Sequence, residues 1–106
     1  MTSDFYCDEV FSDKTPVEKV IETENVLAYH HTRPFWPVHI VVVPKTHVES
    51  LLTVETDLLI ELMDVAQQVA KTVLDEYGAT RVLTNLGDYQ DSKHLHFHVV
   101  FGEQLR

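Results

Sequence analysis

His94-Leu95-His96-Phe97-His98-Val99-Val100 alternates three histidines with bulky apolar residues and then runs into a Val-Val pair. Alternate residues of an extended strand share one face. The spacing therefore predicts a strand over His94 to Gly102. Its three imidazoles stand in a row on one side, and Leu95, Phe97 and Val99 enter a core on the other. A half-buried strand with a wet face has the same alternation, but one polar residue type repeated three times in register points to chemistry.

Working outward, the polar loop Gly87 to Lys93 separates this strand from a second over Arg81 to Leu86. Upstream, Val54 to Tyr77 carries Leu58, Leu62, Val65, Val69 and Val73 at three- and four-residue steps, supported by Leu59, Met63, Ala66, Ala70 and Leu74. That period predicts one long amphipathic helix, with Glu55 and Asp57 at its positive end and Gly78 as its stop. His47 to Thr53 reads as a short helix before it. Val38 to Val43 is a β-branched run ended by Pro44, as expected of a central strand covered on both faces. Val17 to Ile21 and Val26 to His31 flank the turn-like Glu22-Thr23-Glu24-Asn25 and form a hairpin. The link Thr32 to Pro37 is stiffened by two prolines. The sum is an α+β domain: a small antiparallel sheet of about five strands, one long helix, and one or two short helices.

The chain has 106 residues, 44% of them apolar, and only seven Gly plus Pro. This fits a single domain, 1–106, large enough for its own core. The net charge of −9 argues against nucleic-acid or membrane partners, which need a basic surface. A small phosphate ligand, which responds to local donors, is not excluded. Cys7 is the sole cysteine, so no intrachain disulfide forms. The opening Met-Thr-Ser-Asp-Phe-Tyr has neither a basic start nor an apolar run, and a cytoplasmic location is expected.

Two chemistries suit the histidine row. Neutral imidazoles on a strand can ligate a metal, giving a zinc-dependent hydrolase that uses His94, His96 and His98. Alternatively, the central imidazole attacks phosphorus while its neighbours donate hydrogen bonds to phosphate oxygens.

The segment resembles the His-φ-His-φ-His-φ-φ signature of the histidine triad (HIT) superfamily, where φ is an apolar residue. The similarity extends to Leu27-Ala28-Tyr29, to His39, to the Pro44-Lys45-Thr46-His47 ending, to Asn85 followed by Gly87, and to Gln90 four residues before the first triad histidine. The resemblance implies a HIT-like fold, usually a homodimer, with hydrolysis at the α-phosphate of a nucleotide conjugate. Phosphoramidates, adenylylated compounds and dinucleoside polyphosphates are the implied substrates, and no cofactor is required for the chemistry. By position, His96 is implied as the nucleophile that forms a covalent nucleotidyl intermediate. His98 and His39 are implied to contact phosphate oxygens. His94 is implied to orient His96 through its backbone carbonyl. Asn85 and Gln90 are implied to hold ribose and phosphate. His98 at the third triad position favours hydrolase over transferase branches.

Two positions depart from the Hint-type branch of that superfamily. His31 stands where a ribose-binding Asp is usual, and Asp91, with Ser92 beside it, stands where a leaving-group Ser is usual. These departures motivate an alternative, a nucleotide-binding module with little catalysis. A structural zinc is implied in many bacterial relatives, and the matching positions here are Cys7, His47 and His94, with Asp4 in place of a second cysteine. Tyr6, Phe11 and Tyr29 are candidate walls for a purine base. Phe35 and Trp36 are candidates to cap the site or meet a partner subunit, and Lys45 and Lys93 are weaker candidates for phosphate contact.

Overall fold

The structure, a computed structural model, describes residues 17–90 and 92–106. Five antiparallel strands form one sheet: β1 (Lys19–Glu22), β2 (Val26–His30), β3 (Val38–Pro44), β4 (Arg81–Leu83) and β5 (Phe97–Phe101), in the order β1-β2-β3-β5-β4. One long helix, α1 (Thr56–Tyr77), covers a single face of the sheet. Among the described residues no helix is long and apolar enough to cross a membrane.

The central strand is the predicted one. Every second residue of β3, Ile40 and Val42, joins the core beneath α1, while His39, Val41 and Val43 lie on the opposite face; all are buried. The helix supplies Leu62, Val65, Ala66, Val69 and Val73, and β5 supplies Phe97 and Val99. Leu74, read from the sequence as part of the apolar stripe, is instead half exposed at 50%. Gly78 ends α1 as expected. Its φ of 84° is left-handed, and its N–H donates to the Leu74 carbonyl at 2.8 Å.

Three predicted elements differ in extent or kind. His47 to Thr53 is not helical. There the Leu52 N–H donates to Ser50 Oγ, the Ser50 N–H to Thr53 Oγ1, and the Thr53 N–H to the Ser50 carbonyl. Short hydroxyl side chains have taken the backbone donors that a helix would have used. β4 ends at Leu83 instead of Leu86. The histidine strand starts at Phe97 rather than His94, because the β3 residue that would continue the ladder is Pro44, which has no N–H to give. The Leu95 N–H turns to the Val48 carbonyl instead, at 2.6 Å. Among the described residues the short helical element is a 3-10 turn at Gly87–Tyr89.

Candidate active site

The sheet face away from α1 carries the chemistry. Strand alternation puts His98 of β5 and His39 of β3 on that face as near neighbours, with ring centroids 4.9 Å apart. His96, two residues before His98, adds a ring 4.7 Å from it. All three are buried to within 8% of full cover, yet all line one cavity of about 660 Å3, a size suited to a small-molecule ligand.

Hydrogen bonds fix where each imidazole keeps its proton. The Phe35 N–H donates to His39 Nδ1 at 3.1 Å, so the lone pair is on Nδ1 and the proton on Nε2. His39 Nε2–H then donates to His98 Nδ1 at 2.7 Å, which leaves the His98 proton on Nε2. Burial holds both rings far below the usual histidine range, at about 3, helped by the neighbouring imidazoles, so both are neutral near pH 7. His96 has the opposite tautomer. Its Nδ1–H donates to the His94 carbonyl at 2.8 Å, which puts a lone pair on Nε2. The site thus presents a nucleophilic nitrogen beside a neutral N–H donor.

His94 departs from the predicted row. Its ring is fully buried outside the cavity, where Nε2–H donates to the Pro44 carbonyl at 2.8 Å and the ring meets His47 edge-on at 5.3 Å. Among the described residues, the three triad histidines included, no group of three or more His, Cys, Asp or Glu side chains is placed to hold a metal ion. For the zinc set, His47 and His94 are adjacent, whereas Asp4 and Cys7 lie outside the described residues, as do Tyr6, Phe11 and Asp91.

Asn85, Ser92, Tyr29 and His31 all line the cavity, as do Phe35 and Trp36. Gln90, expected at the substrate, is buried with its Nε2 donating to the Glu49 carbonyl at 2.6 Å, and is not part of the lining. Lys45 is engaged with Glu22 at 2.6 Å, and Lys93 Nζ donates to the Gly87 carbonyl at 2.8 Å, so neither reaches the cavity.

A family model for the HIT domain matches residues 12–105. The chain belongs to the HIT family. An uncharacterized HIT-like protein of Chlamydia trachomatis is 35% identical over 92 residues, covering 83% of each chain. The adenosine 5'-monophosphoramidase of Saccharomyces cerevisiae is 30% identical over 95 residues, covering 87% of this chain and 58% of its own. Among solved structures, a histidine triad nucleotide-binding protein from Candida albicans superposes with a TM-score of 0.80 at 28% identity, over 92% of this chain and 73% of that one.

This HIT domain also uses residues that sequence reasoning passed over. Thr84 Oγ1–H donates to the His96 carbonyl at 2.8 Å and holds the backbone at the central histidine. Arg33, Gln104 and Arg106 line the cavity from the proline link and the segment after β5. A threonine one residue past a strand end and a cation far along the chain leave no periodic signal. Only the antiparallel return of β5 brings them together.

Proposed function

We propose that this HIT domain is a nucleotide hydrolase that cleaves at the α-phosphate of a purine nucleotide conjugate through His96. The observation that carries the reading is the tautomer pair at the cavity: a lone pair on His96 Nε2 beside His98 Nε2–H. In the first step His96 Nε2 forms a bond to the α-phosphorus, and the bond to the leaving group breaks. The leaving nitrogen or oxygen takes the electron pair and a proton drawn from solvent, which the attacking water returns to solvent in the next step. The imidazole then bears a positive charge, which the His94 carbonyl stabilises through the retained Nδ1–H. His98 donates to a non-bridging phosphate oxygen, and its neutrality is maintained by burial. In the second step water attacks the same phosphorus, the P–N bond returns its electrons to His96, and the nucleoside monophosphate departs.

Ser92 is the candidate for passing the leaving-group proton. Its Oγ is the one buried side-chain polar atom among the described residues without a hydrogen-bond partner, and it sits at the cavity. Buried polar atoms are normally satisfied, so an orphan hydroxyl in a ligand cavity fits a partner supplied by substrate. The similarity to a yeast adenosine 5'-monophosphoramidase supports phosphoramidates as the first substrates to try. The expected homodimer has apolar surface to form on: Val82 of edge strand β4 and Leu74 on α1 are exposed. Sedimentation velocity tests that assembly.

The deciding experiment is intact-mass spectrometry after rapid mixing with an adenosine phosphoramidate, for the wild type and His96→Ala. A transient adduct of one AMP, acid-labile and absent from the variant, is expected. AMP binding with neither adduct nor AMP release leaves the binding-module reading, which the substitution of His31 for the usual Asp favours.

A further inference from the structure

The cavity has a charge that the chain as a whole does not. The molecule has 17 acidic residues against eight Lys plus Arg, but two arginines, Arg33 and Arg106, and no Asp or Glu side chain are among the described residues lining this cavity. Arg106 is exposed yet held in place. Its guanidinium lies over the Phe35 ring at 4.6 Å, and its Nη2 donates to the Arg33 carbonyl at 2.8 Å. The Leu105 N–H donates to the Phe35 carbonyl at 2.7 Å, fastening the same segment to the same link. A guanidinium has five N–H groups, and one bond to a carbonyl leaves a fork for an anion.

Beside Arg106 stands His31, and its hydrogen bonding is equally one-sided. The Arg33 N–H donates to His31 Nδ1 at 2.9 Å, so the only proton is on Nε2 and the ring can only donate. Burial and the nearby Arg106 charge hold it neutral. The ring stacks on His39 at 4.3 Å, and His39 leads on to His98 and then His96. A row of imidazoles therefore runs from the reacting nitrogen to the arginine, with the His98 Nε2–H beside the first and the His31 Nε2–H beside the second.

We propose that Arg106 and His31 form a second anion subsite, which takes a further phosphate of the nucleotide whose α-phosphate sits at His96 and His98. The inference rests on the nucleotide reading given above and narrows it to ligands with two phosphate groups. The second phosphate is either linked to the first in a polyphosphate chain or attached to the ribose. A donor-only wall accepts phosphate oxygens from either source and offers nothing to a hydroxyl proton.

The test is calorimetric titration of the full chain with three probes: AMP, α,β-methylene-ADP and adenosine 3',5'-bisphosphate. At least one two-phosphate probe is expected to bind on the order of tenfold more tightly than AMP, the gain of one charge-assisted contact. Arg106→Gln should remove that advantage, read as the ratio of two-phosphate to AMP affinity within the same protein, while Arg106→Lys restores part of it. Preference for the methylene compound assigns the subsite to a polyphosphate chain, and preference for the bisphosphate assigns it to the ribose. Equal affinity for all three, or an advantage that survives Arg106→Gln, overturns the subsite alone. Failure of AMP and both other probes to bind overturns the nucleotide reading and the subsite with it. Thermal melts of both variants check folding, which an exposed side chain on the last residue should not disturb.

Discussion

At the scale of single residues, the site is defined by where protons are held. His96 and His98 are chemically identical side chains two positions apart, yet one presents a lone pair and the other an N–H, because a carbonyl faces one Nδ1 and an imidazole N–H faces the other. Thr84 acts one step back, on the His96 carbonyl. Thr84→Val should cost about 1 kcal/mol of stability and lower kcat with little change in KM, and Thr84→Ser should restore kcat; steady-state kinetics on the three proteins checks this. Ser92 gives a different signature. Replacing an unpaired buried hydroxyl by Ala should leave stability unchanged or raise it by up to about 1 kcal/mol, while turnover falls. The loss should shrink for substrates with acidic leaving groups, which need no proton. A melting curve and a leaving-group series together separate this from a structural role.

At the scale of elements, one carboxylate ties the helix to the hairpin. Glu61 on α1 accepts from Thr23 Oγ1 at 2.6 Å, from the Asn25 N–H at 3.1 Å and from Asn25 Nδ2 at 3.0 Å, all in the β1–β2 turn. These bonds, the Thr23 hydroxyl foremost, hold its carboxyl below the ordinary range. A lowered folded value means stabilisation present above the unfolded value and lost as pH falls through the folded one. Glu61→Ala should therefore lower the melting temperature at pH 7 and make no difference well below the carboxylate range. Gly102 is a second joint. Its φ of 97° is left-handed, and a Cβ there would lie 2.8 Å from the Pro37 ring. Gly102→Ala should destabilise the β5 end and, through it, the segment bearing Gln104 and Arg106; denaturant unfolding measures the loss. In the core, Leu62→Ala removes a fully buried side chain from the face of α1, at a cost of about 3 kcal/mol.

At the scale of the whole molecule, the cost of the site appears in its response to acid. His39 and His98 titrate at about 3 in the folded state because they are buried, whereas in the unfolded chain they take up protons near 6.5. Between these values the unfolded state binds more protons, so stability is full above about pH 6.5 and falls as pH drops toward 3. Each such group contributes a slope of at most about 1.4 kcal/mol per pH unit. Urea titrations from pH 7 to 4 should show this decline, and His39→Gln should flatten it. A bound nucleotide should shift the whole curve upward, since it binds only the folded form.

Local sequence determined the long helix and the principal strands and which face each of them buries. The 3.6-residue stripe of α1 and the alternation along β3 and β5 are local periodicities, imposed by backbone geometry before any tertiary contact forms. The alternation of the histidine segment was legible in the same local way, whereas Asn85 and His39 stood out only through their resemblance to the HIT pattern. Whatever depends on a partner far along the chain was decided only in three dimensions. The ladder stops short of His94 because its register would set Leu95 against Pro44, which has no N–H, the His94 ring leaves the row for the Pro44 carbonyl, and Gln90 turns from the cavity to Glu49. His47 to Thr53 forgoes a helix because Ser50 and Thr53 take its backbone donors. Arg106 reaches the site only because antiparallel β5 returns the chain to the Arg33–Phe35 link. Tautomers and the pull of burial on His39 and His98 belong to the same class, since a proton's position follows from the atom facing the ring, and that atom is fixed by the fold.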